Sequence, residues 1–174
     1  MRWLWIDQII DYEPGKRLVA VKLVSLAEEH LHDHFPADAG ANLPPHPIMP
    51  MSLIIEGMAQ TAGILVGSIN NFREKVILAK IGKAELNANV TPGQTLRYDA
   101  TIEHIGPHGA STTGTVSLRN ASENDWHDIG AIELMFSHID QNLAGIAFPK
   151  ENFVFSENFR TILRGTALEA LEGT

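Results

Sequence analysis

Residues 51–69 read MSLIIEGMAQTAGILVGSI, and the fold turns on whether lipid or protein encloses this stretch. Pro50 suits the first turn of a helix, and Asn70-Asn71 stand just past its end. Leu53, Ile54, Ile55, Met58, Ile64, Leu65 and Val66 occupy nearly every face, with Gly57, Ala59, Ala62, Gly63 and Gly67 between them. A helix that is apolar all round must be surrounded. Its length would span a bilayer, but Glu56 and Gln60 sit near its middle and no basic flank precedes it. The expectation is therefore a buried helix of a soluble domain, with no membrane partner.

What surrounds such a helix is legible on both sides of it. Downstream, residues 76–81, 84–90, 94–105, 110–118 and 131–139 are strand-like, broken by Thr91-Pro92-Gly93, Gly106-Pro107-His108-Gly109 and Ser122-Glu123-Asn124-Asp125. Turn signals at these intervals predict an antiparallel meander. Upstream, a Glu13-Pro14-Gly15-Lys16 turn leads into a strand over 17–25, where Leu18, Ala20 and Lys22 alternate with Val19, Val21 and Leu23. One buried helix ahead of four or five antiparallel strands predicts an α+β domain whose sheet wraps the helix.

Residues 28–50 hold five of the nine prolines and four of the eight histidines, which predicts a stiffened loop without regular structure. After Asp140 the character changes. Residues 141–174 read as an extension on a domain spanning 1–140, with an aromatic cluster (Phe148, Phe153, Phe155, Phe159) and an amphipathic helix over about 157–171, packed on the domain or on a partner subunit.

Composition narrows the function classes. The 174 residues carry 13 Lys+Arg against 21 Asp+Glu, a formal charge of -8, and no Cys. Disulfides and thiolate metal sites are excluded. The acidic balance disfavours general binding to nucleic acid or anionic membranes. Met1 to Ile6 is apolar but Asp7 interrupts it far short of a signal-peptide core, which makes the cytoplasm the expected compartment.

Glu56 stands out chemically, because a carboxylate in an apolar helix is costly unless paired or neutralised. Burial would raise its pKa into the range of a general acid; a structural alternative is pairing with a buried Lys80 or Lys83. His30, His32 and His34 are spaced i, i+2, i+4, which on a strand would put three imidazoles on one face, with His46 able to complete a metal site. Without a carboxylate at fixed spacing this signal is weak, and no metal is expected.

His34-Phe35-Pro36, then Pro47-Ile48-Met49-Pro50, then a helix with Glu56 and Gln60 four residues apart together resemble the FabZ-type 3-hydroxyacyl-[acyl-carrier-protein] dehydratases. The resemblance runs from about Trp5 to Ile139 and takes in the Glu13-to-Lys16 turn and Val90-Thr91-Pro92-Gly93. It implies a hot-dog fold and conversion of 3-hydroxyacyl thioesters to trans-2-enoyl thioesters in fatty acid biosynthesis, without a cofactor. It implies His34 as base and Glu56 as acid, with the Ile48 carbonyl orienting the imidazole and the Met51 N–H meeting the thioester oxygen. Phe35 and Gln60 then belong to the substrate site. The partners implied are an acyl carrier protein or a coenzyme A thioester, and a second copy of the chain, in dimers or trimers of dimers whose sites take His and Glu from different subunits.

The chain departs from that pattern in three places. His34 and Glu56 are 22 residues apart, an interval lengthened by about eight residues within 37–45. Ala37 and Met51 stand where the family has glycines, and the often basic strand reads Lys83-Ala84-Glu85-Leu86-Asn87-Ala88-Asn89. Lys80, Lys83, Arg97 and residues 73–75 are the candidate contacts for an acidic carrier. A non-catalytic acyl-thioester or polyketide-binding protein and a hot-dog thioesterase are the alternative functions.

Overall fold

Gly15 takes φ +67° and the Lys16 N–H donates to the Glu13 carbonyl at 3.0 Å, so the Pro-Gly turn joins β1 (Gln8–Glu13) to β2 (Arg17–Leu23) as an antiparallel hairpin. This is seen in a computed structural model that describes residues 3–138, 154, 155 and 157–173. The chain continues through α1 (Glu29–Asp33), α2 (Met51–Ser68), β3 (Val76–Leu86), β4 (Gln94–Gly106), β5 (Gly109–Asn120), β6 (His127–His138) and α3 (Glu157–Leu163), then a 3-10 turn at Glu169–Gly173.

The six strands form one antiparallel sheet in the order β1-β2-β4-β5-β6-β3. Its inner face wraps α2, which touches β2 through β6. This is the hot-dog arrangement. Alternation explains the inner face: Leu18 and Ala20 of β2 and Leu96, Tyr98 and Ala100 of β4 are fully buried against the helix. α2 meets the spanning criteria of length and composition, yet 67% of it is buried inside the fold, which makes it a core helix. Glycines let the layers approach: a Cβ on Gly57 would overlap the Tyr98 ring.

Four expectations are corrected. The strands do not form a simple meander, because β3 pairs with β6 rather than with β4. Residues 76–81 and 84–90 are not two strands; Gly82 lies in an irregularity of one strand ending at Leu86, with register shifts at Leu78/Lys80 and Ile81/Lys83. The proline-rich stretch opens with the helical turn α1, formed ahead of the first proline. The C-terminal helix stops at Leu163, where Gly165 turns the chain at φ +75°.

Phe155, Ile162, Leu163 and Leu168 belong to the core, and α3 packs against β1. The C-terminal segment thus packs on the domain of its own chain. Phe148, Phe153 and the boundary near residue 140 lie outside the described residues.

Candidate active site

His34 follows α1 in an extended conformation (φ -85°, ψ 106°), and its Nδ1 lies 2.6 Å from the Ile48 carbonyl oxygen. A carbonyl only accepts, so Nδ1 carries the hydrogen and Nε2 holds the lone pair of the neutral ring. The backbone beyond is strained: Phe35 takes φ +59°, a left-handed conformation uncommon for a bulky residue. Its ring lies 4.3 Å from that of His34 and is 57% exposed.

The extra residues do not part His34 from Ile48. The His46 N–H donates to the Phe35 carbonyl at 3.0 Å and closes the loop at its neck. Beyond the neck, Asp38 and Leu43 exchange backbone hydrogen bonds of 3.0 and 2.9 Å, while Asp38 Oδ1 accepts from the N–H groups of Gly40 and Ala41. The excursion is a small hairpin of its own. Past it, the buried Met49 donates to the Val90 carbonyl at 2.8 Å and fixes the entry to α2.

Pro50 caps α2 without a side-chain hydrogen bond. The Leu53 and Ile54 N–H groups donate to the Pro50 carbonyl at 2.9 and 3.3 Å, while those of Met51 and Ser52 precede the helix's own ladder and are donors at the positive end of the helix dipole. The Met51 side chain is 44% exposed and lines a groove with Leu86, Thr115 and Asp128.

Glu56 sits on the second turn of α2 and is half-buried, not buried as expected. The reason is local: Met51 and Ser52 are exposed and Leu53 and Ile55 half-covered, so one chain leaves the start of the helix open. Its partner is neither Lys80 nor Lys83. Gln60 Nε2 donates to Glu56 Oε1 at 3.0 Å and to the Trp3 carbonyl at 2.8 Å, while Gln60 Oε1 accepts from the Trp5 N–H at 2.8 Å. The Trp5 donor fixes which end of the amide faces Glu56. Nothing in the pattern of apolar residues pointed to Trp3 and Trp5 as anchors.

Beside Glu56 opens a cavity of about 420 Å³ lined by Gln60, Ile64, Ile77, Phe136, Phe155 and Phe159 among others, but not by His34. Among the described residues no hydrogen bond or ion pair links His34 to Glu56. The strand that would have aligned His30, His32 and His34 is not formed, because Glu29–Asp33 is helical. Behind α1 lies a cluster that alternation in β2 could have flagged, since Lys22 shares the inner face with Leu18 and Ala20. Lys22 is 6% exposed and its Nζ donates to Glu28 at 2.5 Å and to the Leu23 carbonyl at 3.0 Å. His30 lies 3.4 Å from Glu28 and edge-on to Trp5, and burial pushes its imidazole below the ordinary value.

Among known proteins, the FabA-like domain family matches residues 1–125. The 3-hydroxyacyl-[acyl-carrier-protein] dehydratase FabZ of Ruminiclostridium cellulolyticum is 35% identical over 126 residues, 71% of this chain and 83% of that protein. The FabZ of Roseiflexus castenholzii is 33% identical over 141 residues, 80% and 89% of the two chains. Solved structures share the fold: an acyl-CoA hydrolase from Agrobacterium tumefaciens (TM-score 0.56, 14% identity, covering 76% of this chain and 46% of that one) and smu.793 from Streptococcus mutans bound to acetyl CoA (TM-score 0.53, 14%, 75% and 86%). With the sequence likeness spread over most of both chains, this protein belongs to the FabA-like family and, within it, to the FabZ-type 3-hydroxyacyl-[acyl-carrier-protein] dehydratases.

Proposed function

We propose that the protein removes water from 3-hydroxyacyl thioesters carried on acyl carrier protein, giving trans-2-enoyl thioesters for fatty acid biosynthesis. The observation that carries this reading is the contact between His34 Nδ1 and the Ile48 carbonyl, which leaves Nε2 as the basic atom. In the reaction Nε2 takes the C2 proton, and the C–H electron pair becomes the C2=C3 bond as the C3–O bond breaks. The departing hydroxyl takes a proton from the Glu56 carboxyl and leaves as water. Charge that builds on the thioester oxygen is met by the Met51 N–H at the start of α2. No cofactor enters the balance. Phe35 and Gln60 border the substrate, Gln60 by holding Glu56.

The site is completed by a second copy of the chain, so that His34 and Glu56 of different protomers act together. Two features support this: the start of α2 is open in one chain, and β3 is an edge strand with Leu78 and Ile81 exposed at 38% and 45%. Residues 1–140 form the dehydratase-like domain and 141–174 an extension of it.

The absorbance of the enoyl thioester, followed with a 3-hydroxybutyryl carrier-protein substrate, tests the reading. Activity in the wild type that falls by about 10²-fold or more in Glu56→Gln is expected. Equal rates would remove Glu56 from the mechanism, and release of free thiol without enoyl product would identify a thioesterase.

A further inference from the structure

The cavity beside Glu56 is polar at one end only. Glu56 and Gln60 stand at that end, and beyond them the walls are Ile64 of α2, Ile77 of β3 and Phe136 of β6. Val154, Phe155 and Phe159 also line it; Phe155 lies against Gly67, eleven residues along α2 from Glu56, so these residues, which follow the family-matched residues 1–125, close the end away from the carboxyl.

The closing residues are firmly seated. Phe155 is 7% exposed, and its ring lies where a Cβ on Gly67 would overlap it, so the last turn of α2 is shaped to receive it. Phe72 and Phe159 hold it edge-on from two sides, with ring centroids at 4.9 and 6.0 Å. A slot with one carboxyl end and an aromatic floor suits an unbranched aliphatic chain attached to a polar reacting group; a polar tail would lose its hydrogen bonds there.

We propose that this C-terminal segment closes the acyl site and sets the longest chain it accepts, with Phe155 as the floor and Phe159 as its brace. The proposal rests on the dehydratase reading for the identity of the ligand. The length limit belongs to an element outside the matched domain, so it is free to differ from that of relatives with the same reacting residues.

The test is a ladder of unbranched 3-hydroxyacyl pantetheine thioesters, from 3-hydroxybutyryl to 3-hydroxypalmitoyl, read as kcat/KM. Alongside it, equilibrium binding of the matching alkyl pantetheine thioethers is measured for the wild type, Phe155→Ala, Phe155→Leu and Val154→Phe. The wild type should show a cutoff in chain length. Phe155→Ala should raise the ratio of long-chain to short-chain kcat/KM by about tenfold or more, and Val154→Phe should move the cutoff to shorter chains. Phe155→Leu preserves most of the apolar burial and should shift the cutoff in the same direction by less. Profiles that coincide in all four proteins would overturn the proposal, as would a wild type that binds no member of the ladder. If nothing is turned over but binding still shows a cutoff that moves with Phe155, the dehydratase reading fails and the acyl slot stands.

Discussion

Gln60 ties Glu56 to the N-terminal segment: one amide nitrogen donates to both Glu56 Oε1 and the Trp3 carbonyl, while the amide oxygen takes the Trp5 N–H. A side chain 6% exposed thus satisfies all of these groups at once and fixes the carboxylate relative to the segment that leads into β1.

Gln60→Ala should therefore act in two ways. Leaving the Trp3 and Trp5 backbone groups without their partner costs about 1–3 kcal/mol in chemical denaturation. Freeing Glu56 lowers kcat by about tenfold with KM little changed, as expected for a positioning residue. A loss confined to KM would show that Gln60 contacts substrate without orienting the acid.

Gly57 and Tyr98 make a second prediction. Because a Cβ on Gly57 would overlap the Tyr98 ring and hydroxyl, Gly57→Ala should destabilise the protein by about 1–3 kcal/mol. The Tyr98 hydroxyl is buried without a hydrogen-bond partner among the described residues, and burial pushes the phenol well above its ordinary pKa. Tyr98→Phe should be neutral or stabilising by itself and should recover part of the Gly57→Ala loss. Denaturation of the two single variants and the double variant measures both effects.

His30 gives stability a pH dependence. Burial lowers its pKa from 6.5, the nearby Lys22 and His34 push the same way, and Glu28 opposes them. The unfolded chain thus takes up this proton at a higher pH than the folded one. Below pH 6.5 the unfolded state binds more protons, so stability falls with pH through that window and is regained above it. His30→Asn should flatten that part of the profile relative to the wild type; parallel profiles for the two proteins would contradict it.

The charge of -8 requires a local patch if the substrate arrives on an acidic carrier. Lys83 is held by Glu85 at 3.0 Å, but the guanidinium groups of Arg97 and Arg119 lie 4.8 and 4.6 Å from the Trp126 ring centre. Among the described residues, neither is ion-paired. Arg119→Glu should raise KM for the carrier-protein substrate by about tenfold and leave KM for a pantetheine substrate within about twofold. Equal changes for both would place the carrier elsewhere.

Much of this architecture was legible from residue patterns. The all-round apolar character of residues 51–69 and the turn signals between strands gave the wrapped helix, and the resemblance of His34-Phe35-Pro36, Glu56 and Gln60 to the FabZ-type dehydratase motifs gave the candidate site. The pairing of β3 with β6 was not legible, since strand order depends on which edge a strand reaches rather than on its own alternation. The burial of Glu56 was overestimated for a related reason: apolar residues on every face show that a helix is to be covered, not whether its own chain does the covering. The floor at Phe155 was visible only as part of an aromatic cluster, because its place depends on a glycine 88 residues earlier, at Gly67.

In the proposed mechanism His34 and Glu56 act on one substrate although, among the described residues, no hydrogen bond or ion pair joins them within a chain. Mixing His34→Ala protein with Glu56→Ala protein, letting subunits exchange, and measuring enoyl thioester formation tests it most directly. Each mixed dimer then holds one site with both residues intact, so inactive parents should recover about a quarter of wild-type activity. No recovery, with exchange shown by differently tagged subunits, would contradict the shared site.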